Sequence, residues 1–131
     1  MTSRLSNVRG REVLICGRES SDLKELRALI GTHGFSVGTA RTPVSAIQQI
    51  RSSAFTAVVI LLAGDDEAWL ETITAFNDLF PDLPVIVLAS QASLETERKA
   101  RQRRIFYYLL KPFDTGEIRA VLQDATGRAQ A

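Results

Sequence analysis

Short apolar runs alternate with segments of helical periodicity along this chain, and the alternation predicts its secondary structure. Five runs have the length and composition of β-strands, and they cover residues 12–17, 36–40, 57–63, 84–89 and 106–110. Three of them are continuous runs rich in Val, Ile and Leu, which is typical of strands buried on both faces of a parallel sheet. The third run is the most apolar, and it ends at Gly64 and two aspartates.

The segments between the strands place apolar residues three and four positions apart, as in helices with one buried face. Thr42 before Pro43 predicts the start of the second helix, and Asp114 with Glu117 predicts the start of the fifth. The predicted buried positions, helix by helix, are Leu23, Leu26, Leu29 and Ile30, then Val44, Ile47 and Ile50, then Trp69, Ile73, Phe76 and Phe80, then Leu94 and Ala100, and finally Ile118, Val121 and Leu122.

Five strand–helix units in strict alternation predict an α/β fold, a doubly wound parallel sheet with helices on both faces. A chain of 131 residues fits one such domain. We place it at residues 11–126, with a flexible leader at 1–10 and a flexible tail at 127–131. In open sheets of this kind ligands bind at the carboxyl ends of the strands, so the residues that follow each strand are the candidate functional residues.

Composition and motifs exclude several classes of protein. The formal net charge of +1 gives the whole chain no strong attraction for nucleic acid or anionic membranes. The single cysteine, Cys16, cannot form an internal disulfide and is expected to be a small buried residue. No apolar stretch approaches the roughly 20 residues that span a bilayer, and no signal segment is recognised, so a cytoplasmic protein is expected. Without a phosphate loop, paired acids at a cleft or a serine nucleophile, we expect neither enzyme activity nor a cofactor.

The five units, their lengths and the "KPF" motif after the last strand resemble the receiver domain of bacterial response regulators over residues 11–126. The resemblance implies a flavodoxin-like sheet with strand order 2-1-3-4-5 and a role in two-component signalling. In that family two acids after the first strand hold Mg²⁺, and an aspartate at the end of the third strand accepts a phosphoryl group. A hydroxyl residue ends the fourth strand, and an aromatic switch residue precedes a Lys-Pro pair after the fifth.

Several of the functional positions that the resemblance implies carry other residue types in this chain. The acid positions fall on Gly17 and Arg18, the phosphoacceptor on Leu61, the hydroxyl on Ala89, the switch aromatic on Tyr108 and the Lys-Pro pair on Lys111 and Pro112. Leucine cannot act as a nucleophile, and Mg²⁺ requires oxygen ligands that glycine and arginine side chains lack. The sequence therefore predicts no metal site, no catalytic residue and no phosphorylation of the usual kind.

Charged residues near these positions have alternative roles. Asp65 and Asp66 are either a displaced phosphoacceptor or metal pair, or a solvated loop at the start of the third helix. Arg18 could pair with Glu19 or with one of these aspartates and take the place of the metal. Lys111 would then be a structural lysine paired with a nearby carboxylate or carbonyl, and the Lys-Pro bond after it is a candidate cis peptide.

The fourth predicted helix is unusually basic. Its cations are Arg98, Lys99, Arg101, Arg103 and Arg104. One hypothesis is a solvated face helped by the Glu95–Lys99 spacing. The other is a docking surface, because the resemblance implies that dimers and effectors bind the face formed by helix 4, strand 5 and helix 5. Arg98, Lys99, Arg101 and Arg104, with Tyr107, form this candidate interaction surface, which suits an acidic protein or a homodimer better than nucleic acid.

Three functions follow from these observations. The first is a non-enzymatic, phosphorylation-independent receiver-like module that acts through protein–protein interaction or dimerisation, with an output domain in a longer chain as a further partner. The second is a small-ligand-binding domain that uses the crevice at the strand ends. The third is a receiver that is phosphorylated at a displaced aspartate, Asp65 or Asp66.

Overall fold

The computed structural model describes residues 11–64, 66–91 and 93–130, and it contains five strand–helix units in strict alternation. The elements are β1 (Glu12–Cys16), α1 (Ser21–Thr32), β2 (Ser36–Ala40), α2 (Pro43–Ser52), β3 (Ala57–Leu62), α3 (Glu67–Leu79), β4 (Val85–Ala89), α4 (Leu94–Arg101), β5 (Tyr107–Leu110) and α5 (Thr115–Gln130). Each strand lies within one residue of its predicted range at either end.

All neighbouring strands pair in parallel, and the sheet order is β2-β1-β3-β4-β5. The predicted doubly wound α/β fold and its strand order are therefore confirmed. The three central strands, β1, β3 and β4, are almost completely buried, as their continuous apolar runs predict. At the outer edge, β5 has two exposed residues among its four.

The sheet separates two hydrophobic cores. Alternate residues of β3 point to opposite faces, so Val59 and Leu61 join the core under α1 and α5, while Ile60 and Leu62 join the core under α2, α3 and α4. Cys16 is buried in the second core, as expected, and this burial raises the pKa of its thiol.

Two predicted core residues are instead exposed: Val44 at 65% and Leu94 at 86%. The buried position of α2 is Ala46, and the buried positions of α4 are Thr96 and Ala100. Each wrongly predicted residue lies two positions before a buried one, about 200° around the helix axis. Helices of 10 and 8 residues carry too few apolar positions for spacing alone to identify the inward face.

The predicted helix starts are confirmed. The hydroxyl of Thr42 accepts a hydrogen bond from the Ser45 N–H at 3.1 Å, and the carboxylate of Asp114 accepts one from the Glu117 N–H at 2.9 Å. At its other end α5 continues to Gln130, beyond the predicted domain limit at residue 126. The predicted leader, 1–10, lies outside the described residues.

The remaining predicted helix positions are buried or half-buried, and the half-buried ones are Leu29, Ile47, Ile50 and Phe80. Phe80 follows the last residue of α3 as its C-cap and is half-buried. No helix among the described residues combines the length and the apolarity that a bilayer crossing requires.

Two glycines three residues apart at the end of α1 differ in backbone conformation, and substitution of each one tests this difference. Gly31 is helical and a Cβ there would meet nothing within 4 Å, whereas Gly34 has a φ of +86°. We expect Gly31→Ala to stabilise the protein by up to about 1 kcal/mol. Gly34→Ala should destabilise it by about 1–2 kcal/mol, because side chains disfavour this conformation. Urea unfolding measures both, and changes of the same sign would contradict the assignment.

Candidate functional site

The carboxyl ends of the parallel strands meet at one edge of the sheet, and most of the predicted functional residues lie there. The register places Cys16 beside Ile60 and Leu61 beside Leu88, so the ends of β1, β3 and β4 are level with one another. Ala89 pairs with Leu110 at the end of β5. This arrangement brings the loops after β1, β3, β4 and β5 together.

Leu61, at the position that the resemblance assigns to the phosphoacceptor, lies in the hydrophobic core with an exposure of 3%. Its backbone approaches the loop after β1 closely. A Cβ built on Gly17 would meet the Leu61 carbonyl oxygen at 3.1 Å and its Cβ at 3.4 Å, and Gly17 has a φ of +154°. A larger residue at position 17 would therefore require both a strained backbone and a shift of β3.

Arg18 forms an ion pair with Asp66, one of the partners named in the sequence analysis. Its Nη2 donates to Asp66 Oδ1 at 2.9 Å, and the other carboxylate oxygen of Asp66 accepts a hydrogen bond from the Ala63 N–H at 3.0 Å. Asp66 stands at the N-cap position of α3, but its side chain makes no capping hydrogen bond to the helix. Asp65 lies outside the described residues.

Glu19, the other acid near Arg18, pairs elsewhere. Its carboxylate lies 3.5 Å from Arg41 and 4.0 Å from Arg27, so it binds the loop after β2 and helix α1. Among the described residues, no three His, Cys, Asp or Glu side chains are grouped closely enough to hold a metal ion. Asp66, the carboxylate beside Arg18, is already bound by that cation, whose positive charge would also repel Mg²⁺. These residues therefore do not fit the Mg²⁺ site that the resemblance implies.

Lys111 has a carboxylate partner, which the sequence could not specify. Its Nζ donates to Asp22 Oδ1 in the first turn of α1 at 2.7 Å, and this hydrogen bond, with the charge of Asp22, raises the pKa of Lys111. The peptide bond between Lys111 and Pro112 is cis. Asp22 follows β1 at the same sheet edge, which is the only sequence signal for this pairing.

The hydroxyl group nearest the end of β4 faces the backbone. Ala89 is buried and has no hydroxyl, and the Ser90 Oγ donates to the Leu62 carbonyl at 3.2 Å. Tyr108, in β5, is half-buried with its hydroxyl enclosed, and this hydroxyl has no hydrogen-bond partner among the described residues. Burial raises the pKa of the Tyr108 phenol, and the Arg101 guanidinium stacks 5.4 Å from its ring centroid.

The basic residues around α4 lie apart from Arg18, and partners within the chain engage each of them. Arg98 pairs with Glu95 and Arg101 with Glu97, both at 2.8 Å, and the hydrogen bond to Arg98 lowers the pKa of Glu95. Lys99 lies 3.8 Å from Glu95, as the spacing predicts.

The remaining bonds from this basic segment reach α3. Lys99 also binds Glu67, Arg103 donates to Thr74 at 3.1 Å, and Arg104 donates to the Asn77 carbonyl at 3.0 Å. Sequence reasoning missed all three partners, because residues 27 to 32 positions apart meet here only through tertiary packing.

Comparison with known sequences finds longer proteins that are similar to this chain over one part of their length. The chain is 26% identical over 114 residues to the transcriptional regulatory protein ZraR of Escherichia coli, a match that covers 87% of this chain and 26% of that protein. It is 42% identical over 60 residues to the DNA-binding transcriptional regulator NtrC of Azospirillum brasilense, covering 46% of this chain and 12% of that protein. The chain thus spans about a quarter or less of the length of these relatives.

Solved structures with a similar fold include receiver domains. A response regulator receiver domain protein from Clostridium thermocellum superimposes with a TM-score of 0.79 at 19% identity, covering 91% of this chain and 96% of that one. The receiver domain of NtrC4 from Aquifex aeolicus gives a TM-score of 0.77 at 25% identity, covering 90% and 98%. The sequence model of the response regulator receiver domain matches residues 13–123, and the chain therefore belongs to the response regulator receiver domain family.

Proposed function

We propose that this receiver domain signals without aspartyl phosphate, through protein–protein interaction. The observation that carries the proposal is Leu61, whose side chain is buried in the core at the phosphoacceptor position. A phosphoryl group needs a nucleophilic oxygen to accept it, and the leucine side chain has none. The close approach of Leu61 to position 17 supports the same conclusion, because a Cβ there would lie 3.1 Å from the Leu61 carbonyl oxygen, and this position therefore favours glycine over an acid.

A displaced phosphoacceptor is less compatible with the geometry of Asp66. One of its oxygens binds Arg18 and the other accepts the Ala63 N–H, and its side chain is only 11% exposed. A nucleophilic oxygen must face the phosphoryl donor, whereas both oxygens of Asp66 are engaged within the chain. The ion pair instead suits a fixed arrangement, in which Arg18 holds the loop that precedes α3 in place of a metal ion. A small-ligand site in the same crevice is disfavoured because the charged groups at this edge already pair within the chain, Arg18 with Asp66 and Lys111 with Asp22.

The interaction surface that we propose is the face of α4, β5 and α5. Three of its apolar side chains are exposed, Leu94, Tyr107 and Leu110, although solvent exposure of large apolar groups is costly when they cluster. Leu94, Leu110 and Tyr108 line a cleft of about 210 Å³ between α4 and β5. Lys99, in α4, and Arg103, just after it, both bond to α3, and these bonds favour the position of α4 in which the proposed face is exposed.

We infer that the partner on this face is a second copy of the chain. The acids Glu95 and Glu97 lie in the first half of α4 and the cations Arg98 and Arg101 follow them, so an antiparallel pair of α4 helices would oppose unlike charges. A solved neighbour of the same fold, the beryllofluoride-activated NtrC4 receiver domain, is a dimer. Because the curated relatives are about four times longer than the matched region, an output domain in a longer chain is a further expected partner.

The first test is a titration of amide resonances with Mg²⁺ and then with beryllofluoride. We expect no saturable shifts at Gly17, Arg18, Asp66 or Lys111, because the residues lack both the metal ligands and the acceptor. A receiver domain that retains its aspartate serves as the positive control. Saturable shifts centred on Asp65 or Asp66 and extending to Tyr108 would overturn the proposal in favour of a displaced phosphoacceptor.

The second test concerns the ion pair that replaces the metal. Arg18→Ala should cost at most about 1 kcal/mol, the usual size of an exposed ion pair. Asp66→Ala should cost about 1–2 kcal/mol, because the Ala63 N–H also loses its acceptor. The double variant should resemble Asp66→Ala alone, whereas Arg41→Ala, which removes a different exposed pair, should add independently to Asp66→Ala. Additive costs for Arg18 and Asp66 in urea unfolding would show that their bond does not form in solution.

The third test addresses self-association through Leu94. Burial of a leucine side chain contributes about 1.5–3 kcal/mol, so Leu94→Ser should weaken dimerisation at least about tenfold. Val44→Ser, which alters an exposed aliphatic side chain on α2, should leave dimerisation unchanged. Sedimentation velocity over a range of protein concentrations measures both. A chain that stays monomeric at about 1 mM, or equal effects of the two variants, would exclude a second copy as the partner.

A further inference from the structure

Two arginines share one carboxylate at the carboxyl edge of the sheet, beside the ends of β1 and β2. Arg27 lies in α1 and Arg41 follows β2 directly, and we call them the arginine pair. Arg41 Nε lies 3.5 Å from one carboxylate oxygen of Glu19, and Arg27 Nη2 lies 4.0 Å from the other. Both distances exceed the roughly 2.9 Å of a charge-assisted hydrogen bond, so N–H donors of both guanidinium groups remain available.

The cations at this end of the sheet face the solvent more than their partners do. The Arg41 and Arg18 side chains are 71% and 65% exposed, whereas those of Glu19 and Asp66 are 35% and 11% exposed. In these ion pairs three arginines, including Arg27, share two carboxylates among the described residues. The surface beside the ends of β1 and β2 therefore presents guanidinium groups, with the carboxylates beneath them.

The start of α2 adds to this positive surface. Arg41 immediately precedes Thr42, the N-cap of α2, and the first turn of this helix contains no acidic side chain. The amino end of a helix carries a partial positive charge that favours anions. The same turn also contains Val44, an aliphatic side chain that is 65% exposed. Positive charge and an apolar side chain thus lie next to each other at the start of α2.

We propose that the arginine pair and the first turn of α2 form a docking site for an acidic segment of a partner protein. Guanidinium groups bind carboxylates through paired N–H donors, and a carboxylate, that of Glu19, already lies between these two arginines. Val44 favours a protein segment over a free anion, because a peptide can place an apolar side chain against it beside its acids.

This site is separate from the interaction surface proposed above. It lies beside β2, at one outer edge of the sheet, whereas the face of α4, β5 and α5 lies at the other. It does not involve Leu61 at the phosphoacceptor position. The proposal therefore goes beyond the function proposed above, and each of the two can fail without the other.

The test uses two peptide probes, acetyl-Glu-Glu-Leu-Glu-Glu-amide and its counterpart with glutamine in place of each glutamate, titrated into the isotope-labelled chain. We expect the glutamate peptide to cause saturable amide shifts at Arg27, Arg41 and Val44. It should bind about fivefold more tightly than the glutamine peptide, which is the effect of one exposed ion pair at its usual upper value. Arg41→Gln should remove most of this preference. Arg51→Gln, an exposed arginine in the last turn of α2, is the matched control and should keep it.

A second variant is expected to act in the opposite direction. Glu19→Gln removes the carboxylate that the arginine pair shares, so the glutamate peptide should bind about twofold to fivefold more tightly. If the pair serves only to hold Glu19 in place, the same substitution would leave binding unchanged or weaken it, which contradicts the proposal.

Four other results would overturn the proposal. They are the absence of saturable shifts up to about 10 mM peptide, equal affinity for the two peptides, equal effects of Arg41→Gln and Arg51→Gln, and shifts centred on Leu94 and Tyr108 instead. Inorganic phosphate is titrated in parallel. If it causes the same shifts with the same affinity as the glutamate peptide, the arginine pair is a site for a free anion and not for a protein segment, which also overturns the proposal.

Discussion

The burial of β3 on both faces is the constraint on which the rest of this structure depends. Its six residues, Ala57–Leu62, are all nearly inaccessible, with β1 and β4 on either side and a hydrophobic core against each face. A charge placed at any of these positions would lose its hydration and would need a partner to compensate. Leu61 is uncharged and buried like its neighbours in β3, so the hydrophobic core continues to the end of the strand.

Charges at the carboxyl edge are consequently found in the loops, where water reaches them. Arg18 pairs with Asp66 and Lys111 with Asp22, and each pair joins two elements that are distant in sequence. Such exposed pairs contribute little stability individually. Their importance lies in position, because each cation is matched within the chain and needs no ion or phosphate from solution. On the function proposed above, the conformation of the domain would then depend on the sequence alone and not on the supply of a ligand.

The fold was predictable from the sequence because burial of whole strands leaves a strong signal. Apart from Glu12 at the start of β1, the residues of β1, β3 and β4 are all apolar and lie inside the sheet. The helix faces were predicted less well, since Val44 and Leu94 follow helical spacing but point to solvent. The ion-pair partners Asp22 and Glu67 could not be predicted, because they depend on which loops and helices the fold brings together. Arg18 was matched with Asp66 only as one of several alternatives.

The proposed interaction surface is tied to the rest of the domain through α4. Leu94 begins this helix at the face shared with β5, and Arg103 and Arg104 follow its last turn. An eight-residue helix is about 12 Å long, so contacts at its end also limit the movement of its start. Lys99 within the helix, and Arg103 and Arg104 just after it, all bond to α3. On the function proposed above, a face held in this way binds its partner without a preceding change of conformation.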